Sequence, residues 1–383
     1  MKGKGTYCIA LSIALLACTF AGAAVQMVEG ETGSGAKYLL AMPDNWNGDL
    51  VVYAHGIIVD ATQPIALPTA DDIEALRDLW TDNGYAVAYS SYSQNGFAVK
   101  EGVHDTLSLN AQFTKHFGKP NRRFLVGHSL GGAVCVRLAE FYPQHYDGVL
   151  TAAGMIGGSQ AEVDYVANVR ILWEFFYPGV LPGAIDYVPP GVDLMPDVVI
   201  PLVVAISTDP TGAGAISLID QTPVPWDFVN GAELVESYAT AFGFWYQGYD
   251  DVVARTGKKG FIDNSEIVYT SSFLPPEIIG GINAYAARFD GSNQAAQYLW
   301  RNYEPSGELD MPHLTLHNSR DPAVPVFHQA LYAAKVAEQG DTDMLVQRIT
   351  DRYGHSGPFD AVEMFGAFEE LVEWVDTGIA PTP

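Results

Sequence analysis

Phe124-Leu125-Val126-Gly127-His128-Ser129-Leu130-Gly131-Gly132 is the stretch on which the fold turns. An apolar run of strand length enters Gly-x-Ser-x-Gly, and an apolar run of helical length, residues 131–142, leaves it. A strand-to-helix turn this sharp holds its central residue in a strained conformation, and small neighbours are needed where the backbones close in. Gly127 and Gly131 supply that room, with His128 and Leu130 between them and the serine. The turn would present Ser129 Oγ at the carboxyl edge of a sheet. In a chain with 38 glycines the bare pattern means little. Its place between a strand and a helix makes Ser129 a candidate nucleophile, with a purely structural turn as the alternative.

Working outward, short buried runs alternate with amphipathic segments. Strands are expected at 49–54, 84–92, 123–126 and 148–153, and helices at 71–83, 101–117 and 131–142. Asp71 and Asp72 open the first helix, where acids favour the positive end of the dipole. This alternation predicts an α/β protein with a mostly parallel sheet covered by helices on both faces. From about 155 to 307 it stops. That stretch is Pro- and Gly-punctuated, expected to be helical, and rich in aromatics, among them Trp173, Phe175, Phe176, Tyr177, Trp226, Phe242, Phe244, Trp245 and Tyr246. Alternation resumes with strands at 312–316 and 344–349 and helices at 324–338 and 360–376. The expected organisation is a leader at 1–23, a core at 24–154, a mainly helical cap at 155–307, and the rest of the core at 308–383.

With its elbow written Gly-His-Ser-Leu-Gly, the chain resembles the α/β-hydrolase fold superfamily over roughly residues 36–154 and 308–378. The resemblance implies a Ser-acid-His triad in that chain order, because a serine hydroxyl attacks poorly unless a base takes its proton. His355 lies in a Gly-flanked loop between the last strand and the last helix, where the superfamily keeps its base. The other eight histidines flank backbone motifs, precede the acid, or fall within helices or the preceding strand. Asp321 follows the strand 312–316 and is the expected acid, orienting the imidazole; a helix N-cap is the alternative role. Asp351 is the second candidate, more suited to shaping the His355 loop, and Asp310 precedes its strand. The implied oxyanion donors are the backbone N–H groups of Leu130 and of Ile57, the latter after Ala54-His55-Gly56. Such donors are worth about 3 kcal/mol each.

Of 383 residues, 48% are apolar and 17% charged, which excludes a disordered, collagenous or coiled-coil chain. Forty-five acids against 20 bases give a formal charge of −25, a balance that repels phosphate backbones and excludes nucleic acid as a partner. It fits solubility or a saline medium equally. Lys2 and Lys4, an apolar run from Tyr7 to Phe20, and Ala21-Gly22-Ala23-Ala24 read as a signal peptide, so the enzyme is expected to be secreted or periplasmic. Two other readings stay open: an uncleaved anchor, or lipidation at Cys18 in Leu15-Leu16-Ala17-Cys18. No membrane span is expected after the leader is removed. Only Cys135 then remains, and its apolar helical surroundings read as core. The histidine and cysteine spacings match no metal motif and no Gly-x-Gly-x-x-Gly follows a strand, so no metal or cofactor is expected.

The expected reaction is two-step acyl transfer on a small-molecule or polymeric carboxylic ester, the cap aromatics suiting an apolar or aromatic part. The same aromatics could equally form the cap's own core. An exported aminopeptidase of the same fold would need a cap carboxylate for the substrate amine, and Glu162, Asp164, Glu233 and Glu236 are available. A non-catalytic binding protein is the third reading.

Overall fold

Leu50, Val52 and Ala54 lie in one buried cluster while Val51 and Tyr53 lie in another, so a single six-residue strand feeds two cores. Successive side chains of a strand point to opposite faces, and a strand covered on both sides must be apolar throughout. That is the pattern of β3 (Asp49–Ala54), β4 (Ala86–Ser90) and β6 (Gly148–Ala152), in which every residue is buried. The computed structural model describes residues 24–68, 73–257, 260–355 and 360–383. The leader at 1–23, Cys18, and the helix-opening Asp71 and Asp72 lie outside the described residues.

The three strands join β1 (Val25–Glu31), β2 (Lys37–Pro43), β5 (Arg122–His128), β7 (His313–Arg320) and β8 (Leu345–Tyr353) in one eight-stranded sheet. Its order is β1-β2-β4-β3-β5-β6-β7-β8. The β1–β2 and β2–β4 pairs are antiparallel and all others parallel. The sheet therefore has two strands more than the six expected. β1 alternates Val, Gln, Met, Val, Glu, Gly, Glu with no fully buried position, as an edge strand does, and so leaves little apolar signal.

Helices α1 (Ala75–Asp82) and α11 (Ala361–Thr377) cover one face. Phe368 of α11 packs there against Trp80, Tyr85 and Phe124, with ring centroids 5.8, 5.0 and 5.4 Å away. On the other face, α2 (Val99–Phe117) and α3 (Leu130–Phe141) bring Leu109, Phe113, Val134 and Leu138 onto Leu50, Val52 and Leu125. Cys135 belongs to this core, fully buried, and burial raises its thiol pKa far above the usual range. Helix α10 (Phe327–Gln339) packs beside β8.

Between β6 and β7 the described residues form six α-helices: α4 (Ser159–Phe176), α5 (Ile200–Thr208), α6 (Pro210–Ser217), α7 (Gly231–Arg255), α8 (Pro276–Tyr285) and α9 (Asn293–Tyr303). Polar side chains cap three of them. Asp209 accepts from Thr211 N, Asn230 from Ala232 N, and Ser292 from Gln294 N and Ala295 N, taking up N–H groups that have no intrahelical acceptor. At its far end α7 is fastened to the sheet domain. Arg255 pairs with Glu101 of α2 and Asp251, each at 2.8 Å, and donates to Asn95 O.

One carboxylate in α4 opposes this stability. Burial pushes the Asp164 carboxyl up to about 7, although Gln160 Nε2 donates to it at 2.8 Å. A folded pKa above the unfolded value of about 4 means that the native state holds the proton longer, so stability falls as pH rises from about 4 to about 7. The difference is on the order of 4 kcal/mol. Asp164→Asn, which still accepts from Gln160, is expected to be near neutral at pH 4. At pH 8 it should be stabilising by up to that amount, as read from urea denaturation at both values. Equal effects at the two pH values would show that Asp164 ionises freely in the fold.

Candidate active site

Ser129 lies between β5 and α3 at φ 55° and ψ −128°, a backbone conformation that a residue with a Cβ rarely adopts. Such strain costs on the order of 1–3 kcal/mol and persists only where the surroundings impose it. Here three backbone bonds do so: Ser129 N donates to Ala152 O at 3.1 Å, and Ser129 O accepts from Gly132 N and Met155 N at 2.9 and 3.0 Å. The flanking glycines answer a steric demand. A Cβ at Gly131 would stand 2.1 Å from Ala54 O, and one at Gly127 would stand 2.5 Å from Gly131 O and 2.7 Å from Cys135 Sγ. Strand β3 therefore runs directly over the turn. His128 is held below it, its Nδ1 2.6 Å from Tyr53 Oη.

The loop after β3 is pressed onto the same turn. A Cβ at Gly56 would lie 2.8 Å from His128 Nε2 and 3.2 Å from Ser129 Cβ, so the next residue, Ile57, is carried to the serine. Tyr92 fixes the loop from behind: its ring stacks on His55 with centroids 3.9 Å apart, and its hydroxyl donates to His55 O. Ile57 and Leu130 line the same cavity as Ser129. Among the described residues no hydrogen bond takes up either of their N–H groups. Leu130 is the first residue of α3, where an N–H has no intrahelical partner and the helix dipole favours negative charge.

Asp321 is completely buried just past the end of β7, and His355 follows β8. His355 Nδ1 donates to Asp321 Oδ2 at 2.8 Å, with Oδ1 at 3.0 Å, which leaves Nε2 as the basic nitrogen. Asp321 Oδ1 also accepts from Ala323 N and Val324 N, so the carboxylate shapes its own loop while facing the imidazole. It is not a helix N-cap, since α10 begins only at Phe327. Asp351 is exposed, paired with Arg320 and bonded to Ser319, away from the imidazole. Asn318 Nδ2 holds the His355 loop through Gly354 O and His355 O. The acid and the histidine are thus joined. Among the described residues no hydrogen bond links Ser129 to His355, and residues 356–359 beyond it are not described.

Two buried groups behind the acid escape a sequence reading. His317 accepts from Gln329 Nε2 at Nδ1 and donates from Nε2 to Val324 O at 2.8 Å, closing the Asp321–Val324 loop. Burial lowers its pKa to about 4, so it stays neutral 3.8 Å from Asp321. Beside it, His328 bonds Glu162, and that carboxylate reaches the cavity. Of the four acidic residues considered for amine binding, Glu162 alone lines it. The cavity measures about 710 Å³ including its open mouth. The cap aromatics divide: Trp173, Tyr177 and Phe242 form a buried cluster with Tyr238, while Phe244 and Trp245 line the cavity.

The strand order, two antiparallel strands leading a parallel sheet, with a positive-φ serine after the fifth strand and an Asp–His pair after the seventh and eighth, defines the α/β-hydrolase fold. This chain has that fold. No family model and no curated protein matches the sequence. Among solved structures, feruloyl esterase B from Aspergillus oryzae is similar with a TM-score of 0.51 and 14% identity, over 94% of this chain and 82% of that one. An acylaminoacyl peptidase of Pyrococcus horikoshii gives 0.48 and 9% identity over 94% of this chain and 42% of that one. The rice cell wall degrading esterase LipA from Xanthomonas oryzae gives 0.43 and 15% over 91% and 88%. At 14% identity the likeness to the first of these speaks to the fold alone.

Proposed function

We propose that this protein is a serine hydrolase that cleaves carboxylic esters through an acyl-enzyme. The observation that carries the reading is Ser129 held at positive φ on the wall of a cavity that Ile57, Leu130 and the Asp321-loop residues Ala323 and Val324 also line, with His355 bonded to the buried Asp321. His355 Nε2 takes the proton of Ser129 Oγ as the oxygen attacks the ester carbonyl. Asp321 holds the imidazole in the tautomer this needs and stabilises the cation that forms. The N–H groups of Ile57 and Leu130 receive the developing oxyanion, a contact stronger in the transition state than in the ground state. His355 then protonates the departing alcohol and next activates the water that frees the acid. The aromatic lining suits an apolar or aromatic part of a small-molecule or polymeric ester. The reading includes export, supported by the leader at 1–23, with Cys18 as a lipidation site if the protein stays tethered.

A second reading is favoured by Glu162: a peptidase of the same mechanism acting on substrates with a free amine. A panel of p-nitrophenyl esters of increasing chain length beside aminoacyl anilides separates the two. Ester turnover is expected, lost in Ser129→Ala. Turnover of anilides but not esters would sink the esterase reading, and equal turnover by wild type and Ser129→Ala would sink the site.

A further inference from the structure

Glu162 stands in the first turn of α4 with its side chain 10% exposed, in the wall of the cavity that holds Ser129. Its Oε2 lies 2.9 Å from His328 Nε2, and Gly157 N donates to His328 Nδ1 at 3.1 Å. A ring nitrogen that accepts an N–H carries no proton, so the single imidazole proton is on Nε2 and points at the carboxylate. His328 is therefore a neutral donor and not a counter-ion. Among the described residues Glu162 has no other ion-pair partner, and its Oε1 has no hydrogen bond. Among the described residues no lysine, arginine or histidine lines the cavity. Among the described residues the carboxylate thus faces a mostly apolar space with its charge unmatched and one oxygen free, an expensive arrangement unless something completes it.

Five aromatic side chains share that space: Phe97, Phe244, Trp245, Tyr249 and Phe261. Aromatic faces attract cations, and a carboxylate among them supplies both charge and a hydrogen-bond acceptor. We infer that Glu162 is a specificity residue that binds the ammonium group of an arylalkyl or alkyl amine, so that preferred substrates carry a protonated amine on the apolar part that enters the cavity. His328 is the positioning residue, its tautomer fixed by Gly157. The substrate class rests on the hydrolase reading above; the binding of the ammonium does not. A tie between α4 and α10 is the rival role for the pair, and it would be indifferent to the charge of a ligand.

The test is calorimetric binding of 2-phenylethylammonium and of 2-phenylethanol, a neutral probe of similar shape, to the intact protein at pH 7. The ammonium is expected to bind about ten- to a hundredfold more tightly, the range of a hydrogen bond made by a charged group. Glu162→Gln keeps an oxygen for His328 and is expected to bring the ratio of the two affinities close to unity. Equal affinities in wild type, binding of neither probe, or a ratio that survives Glu162→Gln would overturn the inference. The wild-type comparison needs no variant to fold. Ethyl phenylalaninate and ethyl 3-phenylpropionate extend it to catalysis. Hydrolysis of neither, with selective ammonium binding, would sink the hydrolase reading and leave the inference standing. Hydrolysis of the neutral ester without any preference for the ammonium in either assay would sink the inference alone.

Discussion

Ser129→Ala is expected to lose p-nitrophenyl ester hydrolysis by on the order of 10⁵–10⁶-fold in kcat, with KM little changed. In the proposed mechanism the oxygen removed is the one that forms the acyl bond, and nothing else among the described residues of the cavity wall replaces it. Cys135 is buried in the core and its thiolate is disfavoured by that burial, so it offers no second nucleophile. The neighbouring N–H groups of Ile57 and Leu130 stay in place, because they are fixed by the glycine contacts around the turn and not by the hydroxyl. A residual rate on the order of 10³–10⁴-fold over water is therefore expected, measured as slow turnover without a burst. The fold should be unaffected: Ser129 Oγ makes no hydrogen bond among the described residues, and alanine keeps the Cβ the turn already tolerates. A variant as active as wild type would remove Ser129 from the mechanism.

Asp321→Asn is expected to lower kcat by on the order of 10⁴-fold through the tautomer of His355. An asparagine oxygen can keep the bonds from Ala323 N and Val324 N. Its amide nitrogen would then face His355 Nδ1, which must turn from donor to acceptor. The imidazole proton moves to Nε2, the atom that receives the serine proton in the proposed mechanism, and acylation stalls. His317 cannot take over, since its own Nε2–H is committed to Val324 O. Pre-steady-state kinetics should show the acylation step slowed and binding retained. A loss of less than about tenfold would mean that Asp321 serves its loop and not the imidazole.

These expectations rest on residues that could be read in sequence because short-range chemistry marks them. The apolar runs of β3 to β6 are fully buried and bounded by polar or glycine turns, so their strand character needs no tertiary information. The elbow announces itself by glycines whose reason is steric. Asp321 and His355 are expected only through the resemblance, which puts acid and base after strands in that order, and the structure bonds the two to each other. Other features depend on contacts that sequence spacing does not carry. β1 has an exposed face and no buried side chain, and it and β2 are fixed as strands by pairing with each other and, for β2, with β4. Glu162 and His328 meet across 166 positions, and nothing local separates Glu162 from Asp164, Glu233 or Glu236. Only packing puts one of the four on the cavity wall. Likewise Trp173 and Trp245 look alike in the chain, yet one is cap core and the other faces the site.

The sheet is continuous across the insertion, and that continuity has a kinetic consequence. β6 and β7 pair in parallel with Val149 beside His313, so one ladder joins residues on either side of all six cap helices. Ser129 belongs to the segment before this junction, Asp321 and His355 to the segment after it. Closing so long a loop costs entropy that grows only slowly with length, but it delays every contact that depends on it. Each segment can form strands and helices of its own while Ser129, the proposed nucleophile, is still without His355, its proposed base. Activity regained during refolding therefore times one event, the zipping of β6 onto β7, and it should lag the recovery of helical signal from the cap.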